Sequence, residues 1–456
     1  MRKTLSLSAF VMNTASHIVH GTWKDPRGEQ RDFDDLELWA TLAKTLEEGG
    51  FDTLFLADVI GLYGDYEGGW DFHVRNGLQI PSHDPFALAS ALVASTKQIG
   101  LAVTSSIFQQ PPYNFARQMS TLDHLSGGRL AWNIVTGSLD NGFKNLGYDG
   151  LVPHDERYDR ADEYMDVLYK LWEGSWDDDA LKKDRKTGVY ADPERVHKIY
   201  HESEHYQVEG PHLVSPSPQR TPLLFQAGAS KRGKAFAAKH AEAVFINTPS
   251  PEAARSLIDE MREAAVRNGR ARTDIQFFQG QSFVIGETEE EAKEKAKQLD
   301  QRTDDKMMIA HMGGSMGVDF GHWDPDTPIE DMKTEGTRSL FEWVKQAIPG
   351  RQPTLRDVAA HHGRSTRVVG TPEQIADRLE QWLEAGVDGI NVINAFIPQS
   401  YTEFIQKVVP VLKKRGLLKE KNKSAETLRT QLFGRDTLSE RHPGSRYRGA
   451  FGKVRS

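Results

Sequence analysis

Short apolar runs alternate along the chain with longer stretches whose apolar residues recur every three or four positions. The short runs predict strands at Leu5–Phe10, Thr53–Asp58, Gly100–Ser106, Leu130–Thr136, Leu223–Ala227, Ala243–Asn247, Phe277–Ile285 and Gly389–Phe396. They are rich in Val, Ile and Phe, as strands covered on both faces must be. The longer stretches predict helices. Leu36, Trp39, Leu42, Ala43 and Leu46 share one face, which ends at Gly49-Gly50, a helix stop. Ala161, Tyr164, Met165, Leu168, Leu171 and Trp172 keep the same spacing. Thr371-Pro372-Glu373-Gln374 supplies an N-cap, a proline at the first helical position and a capping-box glutamine ahead of Ile375, Ala376, Leu379, Trp382 and Leu383. Eight such alternations without an internal break predict an α/β fold, a closed (β/α)8 barrel of the TIM type. An open doubly wound sheet with an appended domain is the alternative.

Two stretches break the rhythm. Residues about 175–220 are polar, with turn signals at Lys186-Thr187-Gly188 and Pro216-Ser217-Pro218, and predict an insertion before the fifth strand. Residues about 301–368 form a second insertion after the seventh strand, carrying His311-Met312-Gly313-Gly314-Ser315-Met316-Gly317. Insertions of this length serve as lids, binding loops or oligomer contacts. One barrel domain over 1–418 is expected, followed by a charged extension over 419–456 that wraps the surface or a partner subunit.

Composition narrows the function classes. The 456 residues suit one barrel with insertions, and 38% hydrophobic residues suffice for its core. A net charge of −8 with scattered basic residues argues against a nucleic-acid partner. The absence of cysteine rules out disulfides, thiolate metal sites and a cysteine nucleophile. No signal-peptide pattern opens the chain, and no run approaches the ~20 apolar residues of a membrane helix. A cytoplasmic protein without a membrane role is the expectation.

In a barrel, chemistry gathers at the carboxyl ends of the strands. Asp58 ends the second, either as a site carboxylate or as a helix cap or ion-pair partner. Thr104, Ser105 and Ser106 end the third; small hydroxyl residues leave room for a planar ligand, or are merely polar strand ends. Asn133 and Thr136 lie in the fourth, where a buried carboxamide must be paired by a ligand edge or by the protein itself. Gly228-Ala229-Ser230 precedes a helix at Lys231: a glycine, a hydroxyl N-cap and unpaired backbone N–H groups can cradle a phosphate, though many helices begin so. Lys231 and Arg232 would add positive charge. His154 and Tyr158 share one helix face and can donate to an anion, or cap and pack.

His17 and His20 follow the first strand, and His311 lies in the late insertion. Barrel hydrolases need more histidines and an acid on later strands, so no metal is expected. No Gly-x-Ser-x-Gly nucleophile elbow and no Walker or Rossmann phosphate loop appears in strand–helix context. These residues together fit a phosphorylated planar cofactor.

Several segments resemble one family jointly and in order: Phe55-Leu56-Ala57-Asp58, Ser120–Arg129, Trp132-Asn133-Ile134-Val135-Thr136, His154–Glu163, Gln226–Ser230 and Val369-Gly370-Thr371-Pro372. They are similar to the bacterial luciferase-like superfamily, in the subgroup of nitrilotriacetate, dibenzothiophene-sulfone, dimethyl-sulfide and long-chain-alkane monooxygenases. Met12-Asn13 with His17, and His442-Pro443 with Tyr447-Arg448, look most like the alkane and dimethyl-sulfide members.

The resemblance implies a two-component monooxygenase binding FMN non-covalently. FMN contacts carry over to Asp58, Thr104, Asn133, Thr136, His154, Tyr158, Ala229 and Ser230, with Tyr158, Ser230 and the Ala229 backbone near the phosphate. Reduced FMN adds O2 at C4a, and the adduct transfers one oxygen to a small organic substrate. A separate NAD(P)H:FMN reductase supplies the reduced flavin, and a homodimer or homotetramer is implied. His17, Tyr63, Gln79 and His311 match the substrate side, beside Asn133, with His17 and His311 expected to hold or protonate the distal oxygen. Two positions depart from the alkane pattern: Thr14 stands in place of a cysteine, and Ser138 in place of a histidine. The substrate class is therefore an alkane, an organosulfur compound or another small apolar molecule. A flavin- or deazaflavin-dependent dehydrogenase of the same superfamily is the alternative, ahead of a metal-dependent hydrolase.

Overall fold

The computed structural model describes residues 3–331, 344, 348, 350–419 and 426–452. Eight strands form the barrel: β1 (Ser6–Met12), β2 (Thr53–Ala57), β3 (Gly100–Ser106), β4 (Leu130–Val135), β5 (Leu223–Gln226), β6 (Ala243–Ile246), β7 (Gln276–Ile285) and β8 (Gly389–Ile393). Each pairs in parallel with the next, and β8 returns to β1 with Ser6 opposite Gly389, so the sheet closes. Alternate residues divide between two apolar cores. Phe10, Phe55, Ala102, Phe225 and Phe278 fill the interior, while Val11, Leu54, Leu56 and Val103 pack outward on the helices. Hence the strands show no polar face.

Several strands stop earlier than their apolar runs suggested, whereas β1 runs on to Met12. β2 ends at Ala57, β4 at Val135 and β5 at Gln226, which leaves Asp58, Thr136 and Ala227 in the loops above the barrel. β7 is ten residues long, and its upper half also pairs with a short strand, Arg367–Gly370, that hydrophobic pattern did not signal.

The first insertion holds two small antiparallel hairpins, Leu181–Asp184 with Val189–Ala191 and His201–Glu202 with Gln207–Val208. The second contributes helices Asp305–Met316 and Leu355–Arg364, which share an apolar cluster of their own with Met307, Met308, Met312, Leu355 and Val358. Parts of that insertion (332–343, 345–347 and 349) and of the extension (420–425 and 453–456) lie outside the described residues.

From residue 426 the described extension packs on its own barrel. Leu428, on the short helix Leu428–Phe433, joins the interior cluster, against the space a side chain on Gly100 would need. Arg429 is wholly buried and donates to both carboxylate oxygens of Glu242 at 2.8 and 2.9 Å. Arg441 then pairs with Asp274, and Arg448 with Glu173.

Candidate active site

The loops above β2 to β5 enclose a cavity of about 880 Å³, counting its open mouth. Its walls are Asp58, Val59 and Ile60 after β2; Thr104, Ser105 and Ser106 at the end of β3, with Gln109; Thr136–Leu139 after β4; Gly142, Phe143 and Leu146; Tyr158; and Gln226 at the end of β5 with Ala227 and Gly228 after it. Of the expected cofactor residues, Asp58, Thr104, Thr136 and Tyr158 line this space directly.

Gln109 and Gln226 bring polar side chains to the cavity lining, and Asn133 stands behind it, bonded to the lining residue Thr104. Asn133 donates from Nδ2 to Thr104 Oγ1 at 3.0 Å, while its own Oδ1 is buried without a hydrogen-bond partner. Gln226 Oε1 is in the same state. A buried carbonyl oxygen left unpaired is costly, so two of them at the ends of β4 and β5 mark where a donor should arrive. Gln109 Oε1 accepts from the Ser105 hydroxyl at 2.7 Å and from the Ser106 amide, which holds the β3 edge in place. Burial pushes the Asp58 carboxyl up to about 7, and the charge of Asp84 adds to that, against a hydrogen bond from Val59 N–H.

The second feature is a cradle made of glycine. Tyr158 is buried, and its Oη lies 2.7 Å from where a Cβ on either Gly228 or Gly233 would stand. Only residues without a side chain fit there. Ser230 caps the helix Lys231–His240, accepting from Gly233 N–H at 3.0 Å. Ala229 and Ser230 are exposed at the rim. His154 stands with its ring 5.2 Å from that of Tyr158, bonded to Asp155 at 2.7 Å. Arg232 does not face the cradle with a free charge: it pairs with Asp159 and Asp162 at 2.8 and 2.6 Å.

The other expected residues are not in the cavity lining. Tyr63, on the loop after β2, stacks on His311 with centroids 4.6 Å apart, and His311 in turn lies 4.3 Å from His20. Burial pushes the Tyr63 hydroxyl up to about 12, and the Asp58 charge adds to it, which ties this cluster to the cavity wall. His17 packs on Phe10 instead, 4.8 Å away. Its burial lowers it to about 3, so it is a neutral imidazole, and its Nδ1 has no hydrogen-bond partner. Gln79 is buried, with its Oε1 unpaired and its backbone at φ +54°, a region that side chains rarely adopt. Among the described residues, no three His, Cys, Asp or Glu side chains come together as a metal site.

Gln226 and Gln109 escaped the sequence-based expectation. Gln226 carried the signal already used for Asn133: a polar side chain closing an apolar run, Leu223-Leu224-Phe225. Phe143 and Leu146, from the helix Asp140–Asn145 and just after it, gave no signal, because an apolar residue on a short helix reads as core.

Comparison with known proteins agrees with this geometry. The luciferase-like monooxygenase profile matches residues 12–389. The dimethyl-sulfide monooxygenase of Hyphomicrobium sulfonivorans is 42% identical over 457 residues, covering 99% of this chain and 95% of the relative. The long-chain alkane monooxygenase of Geobacillus thermodenitrificans (strain NG80-2) is 41% identical over 458 residues, covering both chains in full. The crystal structure of DmoA from Hyphomicrobium sulfonivorans superposes with a TM-score of 0.92 at 42% identity, over 98% of this chain and 97% of that one. A closed parallel barrel, a partly polar cavity at its carboxyl end and full-length similarity converge: the chain belongs to the luciferase-like monooxygenase family.

Proposed function

We propose that this protein uses reduced FMN and O2 to oxygenate a small, largely apolar substrate such as an alkane, a sulfide or a sulfone. The observation that carries the cofactor is the pairing of two features. The buried unpaired oxygens of Asn133 and Gln226 suit the N–H edge of a planar ring. The Gly228–Gly233 cradle under Tyr158 Oη suits a phosphate at a helix start.

Bound reduced flavin supplies the two electrons that activate O2. The remaining work belongs to the protein. Asn133 and Thr104 orient the ring edge, and Asp58, balanced near neutrality, accepts or donates a proton at its carboxyl oxygen. Tyr158 Oη–H, the Ala229 and Ser230 amides and His154 hold the phosphate. His17, held neutral by burial, offers its unpaired Nδ1 for a hydrogen bond, and Tyr63 offers its phenolic O–H as a donor. Leu139, Phe143, Leu146 and Ile60 keep the space apolar. On the substrate side, Thr14 spends its hydroxyl on the Pro81 carbonyl at 2.7 Å, whereas Ser138 lines the cavity. A separate NAD(P)H:FMN reductase supplies the reduced flavin, a reading supported by similarity to a relative named as component A of a monooxygenase, that for nitrilotriacetate.

The test is aerobic turnover with an added FMN reductase and NADH against alkanes, sulfides and sulfones. One oxygen atom should enter the product, and anaerobic turnover should be nil. Hydride transfer without O2 would make the protein a dehydrogenase. Absence of any affinity for oxidised or reduced FMN would overturn the proposal.

A further inference from the structure

The loop after β2, residues 59–69, is gripped from both sides by segments far away in sequence. On one flank Asn141 Oδ1 accepts from Leu62 N–H at 3.1 Å. Beside it the backbone of Gly142 presses on the Ile60 carbonyl, where any Cβ would overlap the oxygen. On the other flank the helix Asp305–Met316 runs through two adjacent glycines because Gly314 sits against the Tyr63 carbonyl, again with no space for a Cβ. The Asp319 carboxylate closes that flank: it accepts from Glu67 N–H at 3.1 Å, Gly68 N–H at 2.8 Å and Gly321 N–H at 2.7 Å.

We propose that these three segments form a single roof with the 59–69 loop as its middle piece, and that Asn141 and Asp319 are positioning residues that keep the cavity beneath it dry. The inference rests on the oxygenase reading given above. Val59, Ile60, Gly142 and Phe143 line the cavity, so its wall is set by how the loop meets its neighbours. Backbone-to-backbone contacts at glycine leave no soft side chain to absorb a shift. A carboxylate accepting three amide donors is a strong, directional tie. Loosening the Asp319 end should therefore be felt at the Gly142 end.

The chemical consequence is a change in partition. In the productive path, reduced flavin, O2 and substrate give oxidised flavin, oxygenated substrate and one water. Where water reaches the reacting oxygen, reduced flavin and O2 give oxidised flavin and H2O2, with the same two electrons and two protons. Asp319→Ala and Asn141→Ala should favour the second path without touching the flavin.

The experiment has two arms. Amide hydrogen exchange followed by mass spectrometry on the ligand-free protein should show about tenfold faster exchange, the scale of one or two lost hydrogen bonds, in 59–69 and also in 137–147 for Asp319→Ala. Asn141→Ala should speed exchange at 311–321. Asp319→Asn, which keeps one acceptor oxygen, should lie between wild type and Asp319→Ala, and covers the case in which the alanine variant folds poorly. In the second arm, with reductase and NADH, the share of O2 recovered as H2O2 should at least double while the Kd for FMN stays put. Faster exchange confined to 67–68 and 319–321 would overturn the single roof. Spread exchange with unchanged H2O2 would overturn its role in sheltering. Wild-type protein that binds no FMN would instead fail the oxygenase reading, and the exchange arm would still decide the roof.

Discussion

Replacing Arg429 by methionine would leave a buried carboxylate without its main partner. The guanidinium has no exposed surface, and Glu242 is 1% exposed. Besides its two bonds to Glu242, Arg429 donates to the carbonyls of Thr221 (2.7 Å), Gln219 (3.2 Å) and Asp436 (3.0 Å). The nearest substitute is Arg435, 3.9 Å from Glu242 and partly exposed. Breaking one side of a buried ion pair costs about 3–5 kcal/mol. At ~2.1 cal/mol/K of unfolding entropy per residue, 456 residues give about 1 kcal/mol per degree, so Tm should fall by about 3–5 °C. Calorimetric melts at one scan rate would measure it, alongside Arg429→Met/Glu242→Met, in which no charge is left stranded. The double variant should recover most of the loss. A wild-type Tm for Arg429→Met, or a double variant as unstable as the two single losses added together, would refute the reasoning.

Asp58→Asn tests the raised carboxyl. Because the folded value, about 7, lies above the ordinary 3.8, the neutral form is favoured in the fold, and wild-type stability drains away as pH rises from about 4 to about 7. The variant should lack that slope, its Tm gaining on wild type across the same interval; parallel curves would show that Asp58 is well solvated. Tyr158→Phe should weaken FMN binding by about 1–2 kcal/mol, and an unchanged titration would remove Tyr158 from the phosphate. Ser230→Ala should do the same and also lower Tm, since it deletes a helix N-cap worth about 1 kcal/mol. His311→Ala should raise H2O2 leakage with FMN affinity preserved; lost FMN binding would reassign His311 to the cofactor.

The barrel was legible because both faces of its strands are apolar and its helices carry caps. Thr371 with Gln374, and Ser230 at the start of its helix, fold as their local chemistry dictates. Asn133 was legible for the same physical reason that makes it costly: a carboxamide inside Leu130–Val135 has to be answered by something. What could not be read was contact between distant segments. Nothing local in His311-Met312-Gly313-Gly314 says helix, since paired glycines weaken one; the reason for them is the Tyr63 carbonyl, about 250 residues earlier in the chain. Nor does Arg429, one charge in a charged tail, announce a burial decided by Glu242.

The late segment that packs Leu428 into the barrel's interior cluster also sets a timetable. Leu428 and Arg429 leave the ribosome after every strand they touch, so a nascent chain can close its sheet while Gly100 and Glu242 still lack these partners. Completion waits for Leu428 and Arg429 to be translated. A chain cut short of Leu428 would carry a full set of strands and still leave Glu242 without its buried partner, an unfinished surface open to the cell's proteases and chaperones.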